Sequence, residues 1–312
     1  MKIAFLGTPR FAVPPLEMLM KAGHEICVFT QPDRPKGRGH GIAMPPVKEF
    51  ALKNGLPVFQ FEKIRSAEGV EALKNSAPDL MVTAAFGQLL SQENLDIPKY
   101  GCINVHASLL PKYRGAAPMQ WAVINGEKFT GVTTMMTNIG MDTGDILLQK
   151  KTAIGENETF GELYDRLSVL GAELLSETID MLVSGTLKRT PQNESEAVKC
   201  SKITKDTALI DFSKSAEQIH DLARGLNPEP SAYALLNGQN VKIYETVLHP
   251  EMRGFEEAVP GECVIANAKK GLFVKTGDGI IEISVLQFPG SKRMAAKAAL
   301  NSRKLLGEIF GR

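Results

Sequence analysis

The sequence has few of the features that mark specialised protein classes. Its 312 residues include only four cysteines, which lie far apart at positions 27, 102, 200 and 263. Zinc sites and disulfide frameworks use closely spaced or regularly paired cysteines, so this pattern predicts reduced thiols and no metal site. Reduced thiols are typical of a cytoplasmic protein.

Long apolar segments are also absent. The chain enters a strand pattern directly after Met1, without the composition of a signal or transit segment. The longest helical pattern is amphipathic rather than apolar throughout, which argues against a membrane-spanning helix. We therefore expect a cytoplasmic protein with no membrane partner.

The net charge is small, but the charges are unevenly distributed. Thirty-six basic residues and 35 acidic ones give a net charge of +1. Residues 34–48 nevertheless contain four basic residues and no acid, and residues 287–312 contain six basic residues and one acid. Two basic segments on a neutral protein favour a polyanionic partner, although either one alone is equally consistent with an ordinary solvated surface.

The glycine pattern of a dinucleotide site is missing as well. The first predicted strand ends at Gly7-Thr8-Pro9 and leads into a helix, which is the position such a pattern would occupy. The second and third glycines that let a backbone approach a pyrophosphate are not there, and no acid ends the second strand. These absences exclude NAD as a cofactor.

What the first part of the chain does contain is a regular alternation of strands and helices. Strands are predicted at 2–7, 25–30, 58–59, 80–85, 102–106, 131–137 and 146–150, and helices at 11–21, 47–54, 67–74, 119–124 and 159–184. Such alternation predicts an α/β, Rossmann-like domain built on a parallel sheet. Residues 31–46, rich in proline and glycine, are predicted as a long loop without secondary structure of its own.

The last third of the chain has a different pattern. After a predicted helix at 215–226, with Ser215 and Gln218 as a capping pair, short strands are predicted at 232–236, 241–247, 261–265, 272–276 and 280–286. Short strands at this spacing predict a small OB-like β-barrel. We therefore expect an N-terminal domain over 1–189, a polar linker over 190–206 and a C-terminal barrel domain over 207–312.

Polar residues at the ends of two predicted strands form the candidate site. Asn104 and His106 share one face of the strand 102–106, and Asp142 lies in a glycine-containing loop after the strand 131–137. Ligands of open α/β sheets bind at the carboxyl ends of the strands, so we expect these three side chains to be neighbours.

The residue types suggest a reaction class without settling it. An amide donor beside an imidazole and a carboxylate can stabilise an oxyanion and move a proton, as acyl-type transfer to an external nucleophile requires. No Gly-x-Ser-x-Gly elbow is present, and no second ligand lies at metal spacing from His106. Taken singly, however, a histidine in a strand is more often a core residue, and an aspartate in such a loop is more often a turn former.

Two longer stretches carry a family resemblance. Residues 101–118, GCINVHASLLPKYRGAAP, together with Asp142-Thr143-Gly144-Asp145, resemble the signature of the 10-formyltetrahydrofolate-dependent formyltransferases. Residues 31–39, QPDRPKGRG, resemble the methionyl-tRNA formyltransferases within that superfamily. Short segments at 7–9, 227–228, 276–279 and 301–303 extend the resemblance over both expected domains.

The resemblance implies an activity, two substrates and roles for individual residues. The enzyme would transfer the formyl group of 10-formyltetrahydrofolate to the α-amino group of initiator methionyl-tRNA, for translation initiation, without a metal and as a monomer. Catalysis would fall to Asn104, His106 and Asp142. Folate binding would involve Ser108, Leu109, Leu110 and Pro111, with Phe86, Gln88 and Leu90, and tRNA binding would involve Arg34, Lys36 and Arg38, with further contacts from the barrel.

Other readings share parts of this resemblance. Nucleotide-sugar amine formyltransferases use the same donor and a similar two-domain plan, and the basic segments favour tRNA over them. Glycinamide-ribotide formyltransferases resemble only residues 1–190, and hydrolases of the superfamily are a further alternative. A non-catalytic folate- or RNA-binding module would keep the three polar residues for structure alone.

Overall fold

The computed structural model describes residues 1–36, 41–252 and 254–311, the side chains of residues 36, 41 and 42 excepted. Contacts divide the chain into two compact units. Unit 1 consists of Met1–Pro118, Thr130–Ala153 and Tyr164–Cys200, and unit 2 of Met119–Phe129, Ile154–Leu163 and Ser201–Arg312. Residues 190–200 of the predicted linker 190–206 thus lie within unit 1, where Lys199 and Cys200 pair with Arg114 and Gly115.

Unit 1 is built on a mixed β-sheet. The strands of this unit are β1 (Lys2–Gly7), β2 (Glu25–Thr30), β3 (Arg34–Lys36), β4 (Gly41–Ala43), β5 (Val58–Gln60), β6 (Leu80–Ala84), β7 (Cys102–His106), β8 (Arg114–Gly115), β9 (Phe129–Met136), β10 (Ile146–Ala153) and β11 (Lys199–Cys200). The strand order in the sheet is β10-β9-β7-β6-β1-β2-β5. Strands β5, β2, β1, β6 and β7 lie side by side in this order, and each pairs in parallel with its neighbour, as predicted. Strand β9 joins β7 in the antiparallel direction, so the sheet is mixed at this edge.

The described helices are α1 (Val13–Lys21), α2 (Pro46–Lys53), α3 (Ala67–Ser76), α4 (Gln92–Leu95), α5 (Pro118–Ile124), α6 (Phe160–Val183), α7 (Lys205–Ala208), α8 (Ala216–Gly225) and α9 (Ala296–Ala299). Six of them begin and end within two residues of their predicted bounds, whereas the four-residue helices α4, α7 and α9 were not predicted. The predicted capping pair of α8 is present, since the Ser215 hydroxyl accepts from the Gln218 backbone and the Gln218 side chain accepts in return. None of the described helices has the length and apolar character needed to cross a membrane.

The predicted loop 31–46 contains secondary structure that its composition did not suggest. Strands β3 and β4 pair in the antiparallel direction, with Arg34 opposite Ala43 and Lys36 opposite Gly41. Short strands are predicted from an alternation of apolar and polar side chains, to which proline and glycine do not contribute. The sequence pattern therefore gave no indication of these two strands.

Unit 2 is organised around an antiparallel sheet that its last described residues close. Its strands are β12 (Ala232–Leu236), β13 (Gln239–Leu248), β14 (Cys263–Asn267), β15 (Gly271–Lys275), β16 (Ile280–Gln287) and β17 (Met294–Ala295), in the order β12-β13-β16-β15-β14, with β17 on β16. The Gly311 N–H donates to the carbonyl of Leu235 on one edge, and the Phe310 N–H donates to that of Gly261 near the other. The OB-like barrel predicted from the sequence is confirmed.

Unit 2 also contains a buried charged cluster on helix α8. The Arg224 guanidinium donates to the Asp221 carboxylate at 2.7 Å and to the carbonyls of Gly155 and Glu158. The neighbouring His220 is buried, and its Nδ1 lies 2.9 Å from the Thr246 hydroxyl. Burial and the Arg224 charge lower the pKa of His220 below its ordinary value.

Candidate active site

Asn104 and His106 project from the same face of β7, close to its carboxyl end. They are two residues apart on one strand, which places their backbones about 7 Å from each other. Thr83 lies opposite Asn104 on β6, and its hydroxyl donates to Asn104 Oδ1 at 2.8 Å. This bond engages the amide oxygen and leaves the Asn104 NH2 group without a protein acceptor among the described residues.

His106 is held by a main-chain carbonyl on one side and faces a carboxylate on the other. Its Nε2 lies 3.0 Å from the carbonyl oxygen of Tyr113, and its side chain is buried, with 6% of the residue exposed. A carbonyl only accepts, so Nε2 carries the hydrogen of this bond. The other ring nitrogen, Nδ1, lies 3.8 Å from Oδ2 of Asp142, which is an ion-pair distance rather than a hydrogen bond.

The loop after β7 is fixed by hydrogen bonds within unit 1. The buried Ser108 hydroxyl donates to the Lys112 carbonyl at 2.6 Å, and the Thr133 hydroxyl donates to the Ser108 carbonyl at 2.6 Å. The side-chain amide of Gln149 donates to the carbonyl of Leu110 at 2.8 Å. These bonds place Tyr113 in the left-handed region, at φ = 60°, where its carbonyl meets His106.

Asp142 is fixed in a second loop, also in the left-handed region, at φ = 53°. Its carboxylate Oδ2 accepts a hydrogen bond from the Gly115 N–H at 2.8 Å. A left-handed backbone is uncommon for residues other than glycine, although aspartate adopts it more readily than most, and the surrounding bonds hold it here. Gly144 supports the same turn, because a Cβ at that position would lie 1.6 Å from the Met136 carbonyl oxygen.

A polar segment that the sequence did not single out braces this loop. The Gln192 NH2 group donates to the carbonyls of Asp142 and Gly144, at 2.8 and 2.7 Å. Its Oε1 accepts a hydrogen bond from Nε of Arg114 at 2.9 Å. Both terminal nitrogens of the buried Arg114 donate hydrogen bonds to the Glu194 carboxylate. Residues 192–194 show no apolar period, so the sequence pattern does not single them out. Their role comes from hydrogen bonds to residues distant in the sequence, which a pattern does not reveal.

The thiols near the site are not activated. Burial raises the pKa of Cys102 to about 11. Burial raises the pKa of Cys200, and the nearby Asp142 carboxylate adds to the rise. A thiolate is the nucleophilic form of cysteine, so neither residue suits covalent catalysis at neutral pH. Both side chains instead belong to the packed surroundings of the site.

Phe86, Gln88 and Leu90 leave the sheet at the same edge as Asn104 and His106, because β6 and β7 are parallel neighbours. Their side chains are engaged inside unit 1. The Gln88 amide donates to the Phe61 carbonyl at 2.7 Å and accepts from the Ile64 N–H at 2.6 Å, and the rings and methyls of Phe86 and Leu90 belong to an apolar cluster. Their assignment to folate binding therefore stays a prediction, as does that of residues 108–111, where Leu110 is buried and Leu109 half-buried.

Of the three residues predicted to bind tRNA, Arg34 and Lys36 lie on strand β3 of unit 1. Arg34 is exposed and pairs with Glu62 at 2.6 Å. Lys48, from the same basic segment, pairs with Asp33 at 2.6 Å. The side chain of Lys36 and the whole of Arg38 lie outside the described residues.

Comparison with known proteins matches both halves of the chain to one family. A family model described as formyl transferase matches residues 1–179, and one described as formyl transferase, C-terminal domain, matches residues 202–304. The methionyl-tRNA formyltransferase of Ruminiclostridium cellulolyticum is 48% identical over 314 residues, covering 100% of both chains. That of Acetivibrio thermocellus is 49% identical over 314 residues, again covering 100% of both.

Solved structures share the fold at lower identity. WlaRD, a sugar 3N-formyl transferase, aligns with a TM-score of 0.68 at 22% identity, covering 94% of this chain and 99% of that one. HypX from Aquifex aeolicus, solved in complex with tetrahydrofolic acid, aligns with a TM-score of 0.67 at 18% identity, covering 96% of this chain and 47% of that one. At such identities the likeness extends to the fold alone.

Proposed function

The chain belongs to the formyl transferase family, and on that premise we propose how its site performs the reaction. It is an enzyme that transfers a formyl group to methionyl-tRNA, since relatives of that activity match it over their full length at 48% and 49% identity. The formyl group comes from a folate, and the product serves translation initiation.

The donor in our proposal is 10-formyltetrahydrofolate. The α-amino nitrogen of the methionyl group attacks the formyl carbon, and a new C–N bond forms. The bond between that carbon and N10 of the folate then breaks. The attacking amine loses a proton and N10 gains one, so the products are N-formylmethionyl-tRNA and tetrahydrofolate.

Asn104 stabilises the negative charge that develops on the formyl oxygen. Support comes from the Thr83 hydroxyl, which occupies Asn104 Oδ1 and so directs the NH2 group of the amide away from the sheet contact. A donor oriented before the reaction costs no reorganisation in the transition state. This pre-set amide is the observation that most supports an acyl-transfer site over a structural one.

His106 and Asp142 act as a pair. Because Nε2 of His106 is committed to the Tyr113 carbonyl, Nδ1 is the nitrogen available to gain or release a proton. Asp142, whose Oδ2 lies 3.8 Å from Nδ1, stabilises the protonated ring, and that ring assists Asn104 at the oxyanion. The Gly115 N–H keeps this carboxylate oxygen in place.

The acceptor is initiator methionyl-tRNA, held by Arg34, Lys36 and Arg38 and by the barrel of unit 2. Support for a polyanionic acceptor comes from the basic segments 34–48 and 287–312. Of the latter, Arg293 stacks over the Tyr244 ring at 4.4 Å and Arg303 over Phe288 at 4.0 Å, which orders both guanidinium groups. We propose that the enzyme works as a monomer.

The test is direct formylation. Purified protein is incubated with 10-formyltetrahydrofolate and either initiator methionyl-tRNA, elongator methionyl-tRNA or a nucleotide-linked amino sugar. The proposal expects formylmethionyl product from the initiator tRNA and no formylated sugar. Formylation of the sugar alone would establish the alternative acceptor, and no product from any of them would reject the enzymatic role.

A further inference from the structure

We propose that Gln192 is a positioning residue for formyl transfer, which sets the place of the Asp142 carboxylate opposite His106. The inference rests on the proposed role of Asp142. It concerns a residue that does not itself reach the reacting atoms and that lies in a segment with no recognisable motif.

The orientation of the Gln192 side chain follows from its partners. Arg114 Nε can only donate, so the oxygen of the Gln192 amide faces it, at 2.9 Å. The NH2 group therefore faces the opposite way, and its two hydrogens go to two separate carbonyls, those of Asp142 and Gly144. Every polar atom of this amide is used, and both donated bonds end on the turn that carries the carboxylate.

Arg114 gives the amide a rigid support. Arg114 is buried, with 4% of the residue exposed, and its guanidinium makes a bidentate contact with the Glu194 carboxylate, at 2.9 and 2.8 Å. Strand β8, which contains Arg114 and Gly115, is itself paired with β11. One short strand thus supplies the anchor of Gln192 and the N–H that binds Asp142 Oδ2.

The turn at Asp142 has a left-handed backbone, which is uncommon for residues other than glycine even though aspartate adopts it more readily than most. Without the Gln192 donors, the carbonyls of Asp142 and Gly144 lose a hydrogen bond each, and the backbone that carries the carboxylate is less firmly held. A shift of about 1 Å in a catalytic group can cost on the order of 100-fold in rate. We therefore expect the effect to fall on the chemical step rather than on substrate binding.

The first experiment compares Gln192→Ala with Gln92→Ala in steady-state formylation. Gln92 is a control from the same unit, because its exposed amide donates to the Asp96 carboxylate at 2.7 Å, away from the proposed site. For Gln192→Ala we expect kcat to fall about 10- to 100-fold while KM for each substrate changes less than about threefold. For Gln92→Ala we expect kcat within about twofold of the parent. A rise in KM without a fall in kcat would overturn the proposal.

The second experiment is a double-mutant cycle with Asp142→Asn. If Gln192 acts through Asp142, Gln192→Ala should cost less than about threefold when Asp142 has already been changed. Losses that multiply would show an independent structural effect and overturn the inference. If Asp142→Asn alone leaves the rate unchanged, the proposed role of Asp142 fails; if it lowers the rate and Gln192→Ala does not, only the inference about Gln192 fails.

The Gln192→Glu variant tests the proposal even if the alanine variant does not fold. Glutamate keeps the size of the side chain and the acceptor that Arg114 binds, and it replaces the NH2 donors with a charged oxygen that faces the carbonyls of Asp142 and Gly144. We expect a folded protein with kcat reduced at least as much as in Gln192→Ala. A Gln192→Glu enzyme with full kcat would overturn the proposal, whatever the stability of the alanine variant.

Discussion

Thr83 and Asn104 lie directly opposite each other on the neighbouring parallel strands β6 and β7, joined by a hydrogen bond of 2.8 Å from hydroxyl to amide oxygen. The strand register thus decides which end of the Asn104 amide is available for a substrate. A residue within a strand of the sheet thereby orients a donor of the site.

Replacing Thr83 should weaken catalysis without weakening the fold. Thr83→Val keeps the shape of the side chain and removes the hydroxyl, so the Asn104 amide is no longer held in one orientation. One neutral hydrogen bond corresponds to a loss of about 3- to 10-fold in kcat. Thr83→Ser keeps the hydroxyl and serves as the control; equal rates for valine and serine variants in single-turnover formylation would contradict the orienting role.

Asn104 itself should have a larger effect. Asn104→Ala removes the donor and should lower the single-turnover rate on the order of 100- to 1000-fold, as the loss of an oxyanion donor does. Asn104→Asp places a negative charge where the formyl oxygen becomes negative, and we expect it to be at least as slow. An aspartate variant that is faster than the alanine variant would exclude oxyanion stabilisation at this position.

His106 and Asp142 should depend on each other. We expect His106→Ala and Asp142→Ala each to reduce single-turnover formylation on the order of 100-fold or more, with circular dichroism spectra like those of the parent. Because the two side chains act as a pair, the double variant should be little slower than the worse of the single ones. Losses below about tenfold for both single variants would sink the assignment.

Arg38 is expected to contact tRNA phosphate. Arg38→Ala should weaken binding of methionyl-tRNA more than use of the folate, and it should lower the slope of log K against log salt by about 1. Arg166→Ala, an exposed arginine of α6, is the control and should leave the slope unchanged. If the slope of Arg38→Ala equals that of the parent, Arg38 is not a phosphate contact.

His220 should make the stability of the protein fall in weak acid. Burial and the Arg224 charge place the pKa of His220 in the folded state below its ordinary value of 6.5. Above that value both states are neutral and His220 contributes no pH dependence. As the pH falls through it, the unfolded state takes up the proton first, so the free energy of unfolding decreases.

Thermal unfolding between pH 8 and pH 5.5 measures this contribution. In His220→Gln, which keeps a polar side chain near the Thr246 hydroxyl but cannot titrate, the fall in Tm towards pH 5.5 should be smaller than in the parent. Parallel Tm curves for the two proteins would assign the acid sensitivity to other groups.

Much of the fold was accessible from the sequence, because its buried strands are short and strongly apolar. Residues 3–6 of β1 are buried and all apolar, and the barrel strands of unit 2 show alternation between turn signals. The hairpin of β3 and β4 and the closure of the barrel by residues 310–311 were not predicted. Both depend on main-chain hydrogen bonds, which proline, glycine or a short terminal segment form without an apolar period.

Only part of the candidate site could be predicted from the sequence. Asn104, His106 and Asp142 could be named from residue type, strand position and family resemblance, and the structure places His106 and Asp142 side by side. Gln192 lies 50 residues beyond Asp142 in the sequence and could not be named from the sequence, because a polar side chain that donates to carbonyls can occur in any loop. Gln88 shows the reverse difficulty, since a residue named for a ligand can be fully engaged by its own chain.

The N–H of Gly115 is a part of the site that no substitution except proline would remove. Every other residue placed there would retain the N–H, and a Cβ, that of proline included, would lie 2.2 Å from the Cys200 carbonyl oxygen, so every variant would disturb the fold for an unrelated reason. A mutational scan would therefore record position 115 as intolerant and attribute the effect to packing. Only an amide-to-ester exchange at that peptide bond, which deletes the hydrogen and keeps the shape, would separate the chemistry of this donor from the space it occupies.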